Sequence, residues 1–191
     1  MATETSPHTL QQYDAAFLAC REIFAHKARD YGTSWRVFRP ASLTDQLFIK
    51  AQRIRTLEET GINKVGEGIA DEFRAIVNYA VIAGIQLHRG WTDADELGEA
   101  EALALYDRER DAIRALMQAK NHDYGEAWRD MRVTSFTDMI LTKLLRVKRI
   151  EANGGRTAVS EGVGSHYRDM ANYALFALIQ LSEAPDAGAD A

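Results

Sequence analysis

The sequence predicts an all-α protein, a helical bundle of two three-helix repeats related by a pseudo-twofold axis. Three observations predict it. Apolar residues recur at helical spacing, no segment alternates in the manner of a strand, and the chain repeats itself. Offset by 93 residues, Lys27-Ala-Arg-Asp30-Tyr31-Gly32-Thr-Ser-Trp35-Arg36 falls on Lys120-Asn-His-Asp123-Tyr124-Gly125-Glu-Ala-Trp128-Arg129. Thirteen of the 33 positions in 27–59 are identical to their counterparts in 120–152, where chance gives about two. After one inserted residue, ten of 21 positions are identical between 67–87 and 161–181. The 191 residues therefore read as one domain: repeat one at about 10–89, a linker at about 90–98, repeat two at about 99–182, and a disordered tail over 183–191.

Within each repeat the first helix, about 10–31 or 100–124, is expected to stop at Gly32 or Gly125, where glycine can take the left-handed conformation that closes a helix. The second is expected to start at Ser42-Leu-Thr-Asp45 or Ser135-Phe-Thr-Asp138, read as capping boxes. Leu43, Leu47, Ala51 and Ile54 then mark its buried face, matched by Phe136, Ile140, Leu144 and Val147. The third helix, about 67–88 or 161–182, is apolar nearly all round beyond its first two turns, which places it at the centre.

Composition limits the function classes. One cysteine, Cys20, excludes an internal disulfide or a cysteine-based zinc site. Met1 to Pro7 has neither the basic start nor the apolar stretch of a signal peptide, and a cytoplasmic location without membrane insertion is expected. The formal net charge of −5 is uneven. Segment 27–55 carries +5 and its equivalent 120–148 carries +2, so the remainder carries −12. Two basic patches on an acidic body suit a small phosphorylated ligand and disfavour a long nucleic acid. Self-association into a homo-oligomer is left open.

Three groups of residues are candidates for chemistry. The loop after the first helix repeats Trp35 and Arg36 as Trp128 and Arg129; the indoles could stack on a base and the arginines reach phosphate, or the indoles could plug the ends of the bundle. Lys50 and Arg53, repeated as Lys143 and Arg146, are helix neighbours suited to an anion. On the third helix, Glu67 and Asp71 in one repeat and Glu161 and Asp169 in the other could ligate Mg²⁺. Asp169 could equally be a buried ion-pair partner of Lys143 or Arg146. Asp30 and Asp123, unfavourable at a helix C-terminus, are expected to meet a loop arginine.

The tandem Lys-x-x-Asp-Tyr-Gly-x-x-Trp-Arg blocks, the Ser-x-Thr-Asp segments and the two Asn-Tyr-Ala triplets, Asn78 to Ala80 and Asn172 to Ala174, resemble the bacterial nucleotide modification associated domain, the first of that name. The similarity runs from about residue 10 to 182 and implies a link to nucleotide modification. A more distant analogy is to all-α nucleotide pyrophosphohydrolases of the MazG and dUTPase type, which hold Mg²⁺ on a Glu-Glu-x-x-Glu helix and a Glu-x-x-Asp helix. This chain departs from that pattern: Lys50 and Arg53 stand where acids are needed, and Glu58-Glu59 lacks the third acid. The leading expectation is a protein that binds or processes a nucleotide, with Mg²⁺-assisted hydrolysis of a nucleoside triphosphate as the most economical reaction. The competing one is a non-catalytic interaction module whose repeated polar residues are interhelical ion pairs.

Overall fold

The computed structural model describes residues 5–94, 96–157 and 161–183, and these residues form six α-helices: α1 Pro7–Tyr31, α2 Pro40–Thr60, α3 Ile69–Arg89, α4 Glu99–Tyr124, α5 Val133–Ala152 and α6 Val163–Glu183. Short 3-10 turns, Ser34–Val37 and Ala127–Asp130, lie between the first and second helix of each repeat. Apart from Glu183, the tail expected at 183–191 lies outside the described residues.

Local chemistry sets the helix ends. Pro7 and Pro40 sit in the first turns of α1 and α2, where the missing N–H costs nothing. Gly32 and Gly125 close α1 and α4 with φ of 62° and 63°, values unfavourable for any residue with a Cβ. The expected starts of the second helices are corrected. Both helices begin two residues earlier, at Pro40 and Val133, behind Arg39 and Arg132, with no side-chain cap. Asp45 instead pairs with Lys148 at 2.7 Å, and Asp138 pairs with Arg55, so the supposed capping acids tie one repeat to the other.

The helices stack in three layers. α3 and α6 pack together in the middle, α2 and α5 cover one side, and α1 and α4 cover the other. Phe73, Ile76, Val77 and Ala83 of α3, with Met170, Ala171, Ala174 and Leu175 of α6, are fully buried, as the nearly all-round apolar pattern requires. The expected stripes Leu43, Leu47, Ala51, Ile54 and Phe136, Ile140, Leu144, Val147 are also fully buried.

Polar ties repeat under the same symmetry. Asn78 Nδ2 donates to the Cys20 carbonyl at 3.0 Å while its Oδ1 accepts from Tyr106 at 2.8 Å. Asn172 does the same with the Ile113 carbonyl at 3.3 Å and Tyr13 at 2.6 Å. Each asparagine thus joins the first helices of both repeats. Tyr13 and Tyr106 obey the 93-residue offset, extending the duplication beyond its obvious motifs. At Gly84 an added Cβ would lie 2.5 Å from the Glu109 carboxylate, so glycine here admits the pair that Glu109 makes with Arg168 at 2.8 Å.

Candidate functional site

Helices α1, α2 and α3 of repeat one enclose a cleft of about 520 Å³. Lys27, Phe24 and Tyr31 reach it from α1, Trp35 from the 3-10 turn, Lys50 from α2, and Asn78 and Tyr79 from α3. Glu67, Asp71 and Glu72 complete the wall on the side where α3 begins. The turn is held in place by Gln86, whose amide donates to the carbonyls of Arg36 and Phe38, both at 2.8 Å. Gln180 holds the other turn through the carbonyl of Trp128 at 2.8 Å. A connection of fixed length is therefore clamped at an invariant position of each repeat's third helix.

Glu72 is the charged centre of the wall. Its carboxylate is 1% exposed; Oε1 accepts from Arg53, while Oε2 lies in an ion pair 3.2 Å from Lys50 and accepts no hydrogen bond among the described residues. Arg53 also reaches Glu67 at 3.1 Å. A buried carboxylate needs such partners, because an uncompensated charge in the interior is prohibitively costly. Asp71 accepts from the Gly68 N–H at 3.0 Å and from Arg74 at 2.8 Å, so it caps α3. Lys27, by contrast, is exposed and has no ion-pair partner among the described residues.

In repeat two the corresponding space is arranged differently. Position 72 becomes His166 and position 75 becomes Asp169. Asp169, 2% exposed, binds Lys143 at 2.6 Å and also Lys120, the equivalents of Lys50 and Lys27. Burial alone would raise its carboxyl, but the hydrogen bonds from Lys120 and Lys143 outweigh that and hold it below the ordinary carboxylate range. Both ring nitrogens of His166 are buried without a hydrogen bond. Burial, and then the nearby Lys143, lowers its pKa and favours the neutral ring.

The other expected site residues divide clearly. Trp35 and Trp128 are buried, at 9% and 6% exposure, and both indole N–H groups lack a hydrogen-bond partner. Trp35 borders the cleft, whereas Trp128 is covered by a parallel Phe176 ring at 4.3 Å and by Arg129 at 4.4 Å. Arg36, 2% exposed, is spent on Gln86, the Gly90 carbonyl and Glu96. Arg129 holds Glu126 at 2.8 Å, Gln12 at 2.7 Å and Thr9. These arginines fasten each turn to the segment that begins or precedes the other repeat's first helix. Arg146 and Glu161 are exposed.

Of the carboxylates considered for Mg²⁺, Glu67 and Asp71 both line the repeat-one cleft, whereas in repeat two Asp169 is held between Lys120 and Lys143 and Glu161 is exposed. Among the described residues no three or more His, Cys, Asp or Glu side chains are grouped to hold a metal. Asp123 meets His122 at 3.1 Å, and among the described residues neither it nor Asp30 pairs with the loop arginine expected of them. Burial pushes the Cys20 thiol up to about 12, as befits a packed side chain.

A model of one protein family, described as nucleotide modification associated domain 1, matches the chain twice, over residues 27–87 and 120–181. The chain belongs to that family. The two matches give it as a tandem form, and the first contains Lys27, Trp35, Lys50, Glu72 and Tyr79 while the second contains their counterparts. No curated protein and no solved structure matches the chain.

Sequence reasoning overlooked Glu72, which is off the line through Glu67, Asp71 and Asn78, and gave Lys27 no role of its own. The available signal was charge balance: two cations three residues apart beside an apolar stripe require an acid on the helix that packs there.

Proposed function

We propose that the chain binds a nucleotide in the cleft of repeat one. The observation that carries this reading is the combination, in one cavity of about 520 Å³, of Lys27, which has no ion-pair partner among the described residues, and a partly exposed Lys50 with Trp35, Tyr31 and Tyr79. Cavities of ~300–1,000 Å³ suit small ligands. Aromatic walls accept a base, and lysines accept phosphate as point charges. The family description, with its reference to nucleotides, agrees.

Binding is a narrower claim than catalysis. Any Mg²⁺ would arrive with the polyphosphate, where Glu67, Asp71 and Glu72 are the carboxylates on the cleft wall. Hydrolysis of a phosphoanhydride by such a complex needs no protein nucleophile, since a metal polarises phosphate and activates water.

Calorimetric titration of the full chain with nucleoside mono- and triphosphates, with and without Mg²⁺, tests both levels, paired with an assay for released phosphate and pyrophosphate. One nucleotide bound per chain with a Kd in the micromolar range is expected. Silence toward every nucleotide at millimolar concentration overturns the reading.

A further inference from the structure

The two repeats share the lysines, tryptophan and tyrosines that border the cleft but differ at other positions around it. Where repeat one has Ala75, repeat two has Asp169, and where repeat one has Ile82, repeat two has Phe176. Ala75 and Ile82 both line the open cleft. Asp169 and Phe176 both occupy the equivalent ground with their own side chains, one between Lys120 and Lys143 and the other flat on Trp128. Repeat two is therefore supplied from within by a carboxylate and an aromatic ring.

The acid has moved by one turn between the repeats. In repeat one it is Glu72, which engages Lys50 and Arg53 and leaves Lys27 aside. In repeat two it is Asp169, which engages both lysines and leaves Arg146 aside on the surface. Simple neutralisation of the second helix would be met by either position. Only the first arrangement leaves an unpaired lysine facing an alanine across a cleft.

We propose that the cleft of repeat one receives an anionic group of its ligand, a phosphate or a carboxylate, between Lys27 and Lys50 beside Ala75, in the place that the Asp169 carboxylate fills in repeat two. The bound stoichiometry is one per chain because Asp169 closes the second site. Asp169 and Phe176 are seven residues apart on α6, about 10 Å along the helix, so the anion and the apolar end of the cleft beside Ile82 and Trp35 are spaced for a ligand that is charged at one end and flat at the other. The assignment rests on the nucleotide reading for the identity of that ligand, while the anion subsite itself does not depend on the nucleoside.

Reciprocal substitution tests it, with inorganic phosphate, acetate and adenosine monophosphate as probes. Ala75→Asp should place a carboxylate between Lys27 and Lys50 and weaken adenosine monophosphate at least tenfold with the melting temperature maintained; Lys27→Gln should weaken it by a similar factor. Asp169→Ala should melt below the parent chain, regain part of the loss in phosphate or acetate but not in chloride at equal ionic strength, and titrate with two phosphates per chain. Unchanged affinity in both Ala75→Asp and Lys27→Gln overturns the subsite and leaves nucleotide binding standing. Failure of every nucleotide, together with phosphate binding that Ala75→Asp abolishes, overturns the nucleotide reading and leaves the subsite standing. Absence of phosphate rescue in Asp169→Ala, with no anion bound by the parent chain, overturns the proposal.

Discussion

Asn172 and Asp169 lie less than a turn apart on α6, yet one holds helices together as a neutral hydrogen-bonding hub and the other as a charge. Tyr13→Phe removes the donor to Asn172 while keeping the ring, and is expected to cost about 1 kcal/mol. Asn172→Ala strands the buried Tyr13 hydroxyl, removes the added bond to the Ile113 carbonyl and leaves a small cavity, and should cost about 2–3 kcal/mol. Urea unfolding of the two variants checks the order; equal, negligible losses would mean that water replaces the amide without penalty.

The charge at Asp169 adds a pH dependence with a definite sign. An unfolded aspartate, pKa about 3.9, takes its proton before the lowered native carboxyl does. The stability it contributes is therefore complete above that value and is lost as pH falls toward the native one. His166 acts in the same direction at higher pH. Its native pKa is lowered, so the unfolded ring, near 6.5, protonates first and stability declines below about pH 6.5. Lys143, Arg146, Asp169 and Glu161 are the charges that act on it. Denaturation between pH 7.5 and 5 should show a shallower decline in His166→Gln than in the parent chain, and an unchanged slope would refute the assignment. Asp169→Asn should cost about 2 kcal/mol at pH 7, below the figure for a sealed pair because Lys120 is 43% exposed.

At the scale of the element, helix identity and buried faces were legible because both rest on local periodicity. The stripes on α2 and α5, the glycine stops of α1 and α4, and the central placement of α3 and α6 all follow from spacing. The N-termini of α2 and α5 were misread because Ser-x-x-Asp is ambiguous between a cap and a helix surface. What resolved it was a partner about a hundred residues away, Lys148 for Asp45 and Arg55 for Asp138. The cleft was half legible for the same reason. Lys50, Trp35, Glu67 and Asp71 are visible as repeated or periodic polar residues, but Ala75 and Ile82 matter only by being smaller than their counterparts. Such absences acquire meaning once the second repeat shows what could stand there.

At the scale of the molecule, the duplication predicts that neither half is self-sufficient. The buried surface of α3 is covered chiefly by α6 and α2, and that of α6 by α3 and α5, so removing one repeat exposes the most apolar helix of the other. Burial is worth about 25 cal/mol for each Å² of apolar surface, and a half of fewer than a hundred residues has little else to offset its conformational entropy. The hubs at Asn78 and Asn172 would lose their tyrosine donors in the same step, since each tyrosine comes from the other repeat. Residues 1–94 expressed alone are accordingly expected to lack a cooperative thermal transition as a monomer, and to regain helicity and a sharp melt when mixed with residues 96–191. A homodimer of one half would obey the same packing logic, because a second copy presents the equivalent α3 or α6 face. A monomeric half that melts as sharply as the full chain, seen by circular dichroism alongside sedimentation, would show that the central pair is dispensable and that each repeat is a domain in its own right.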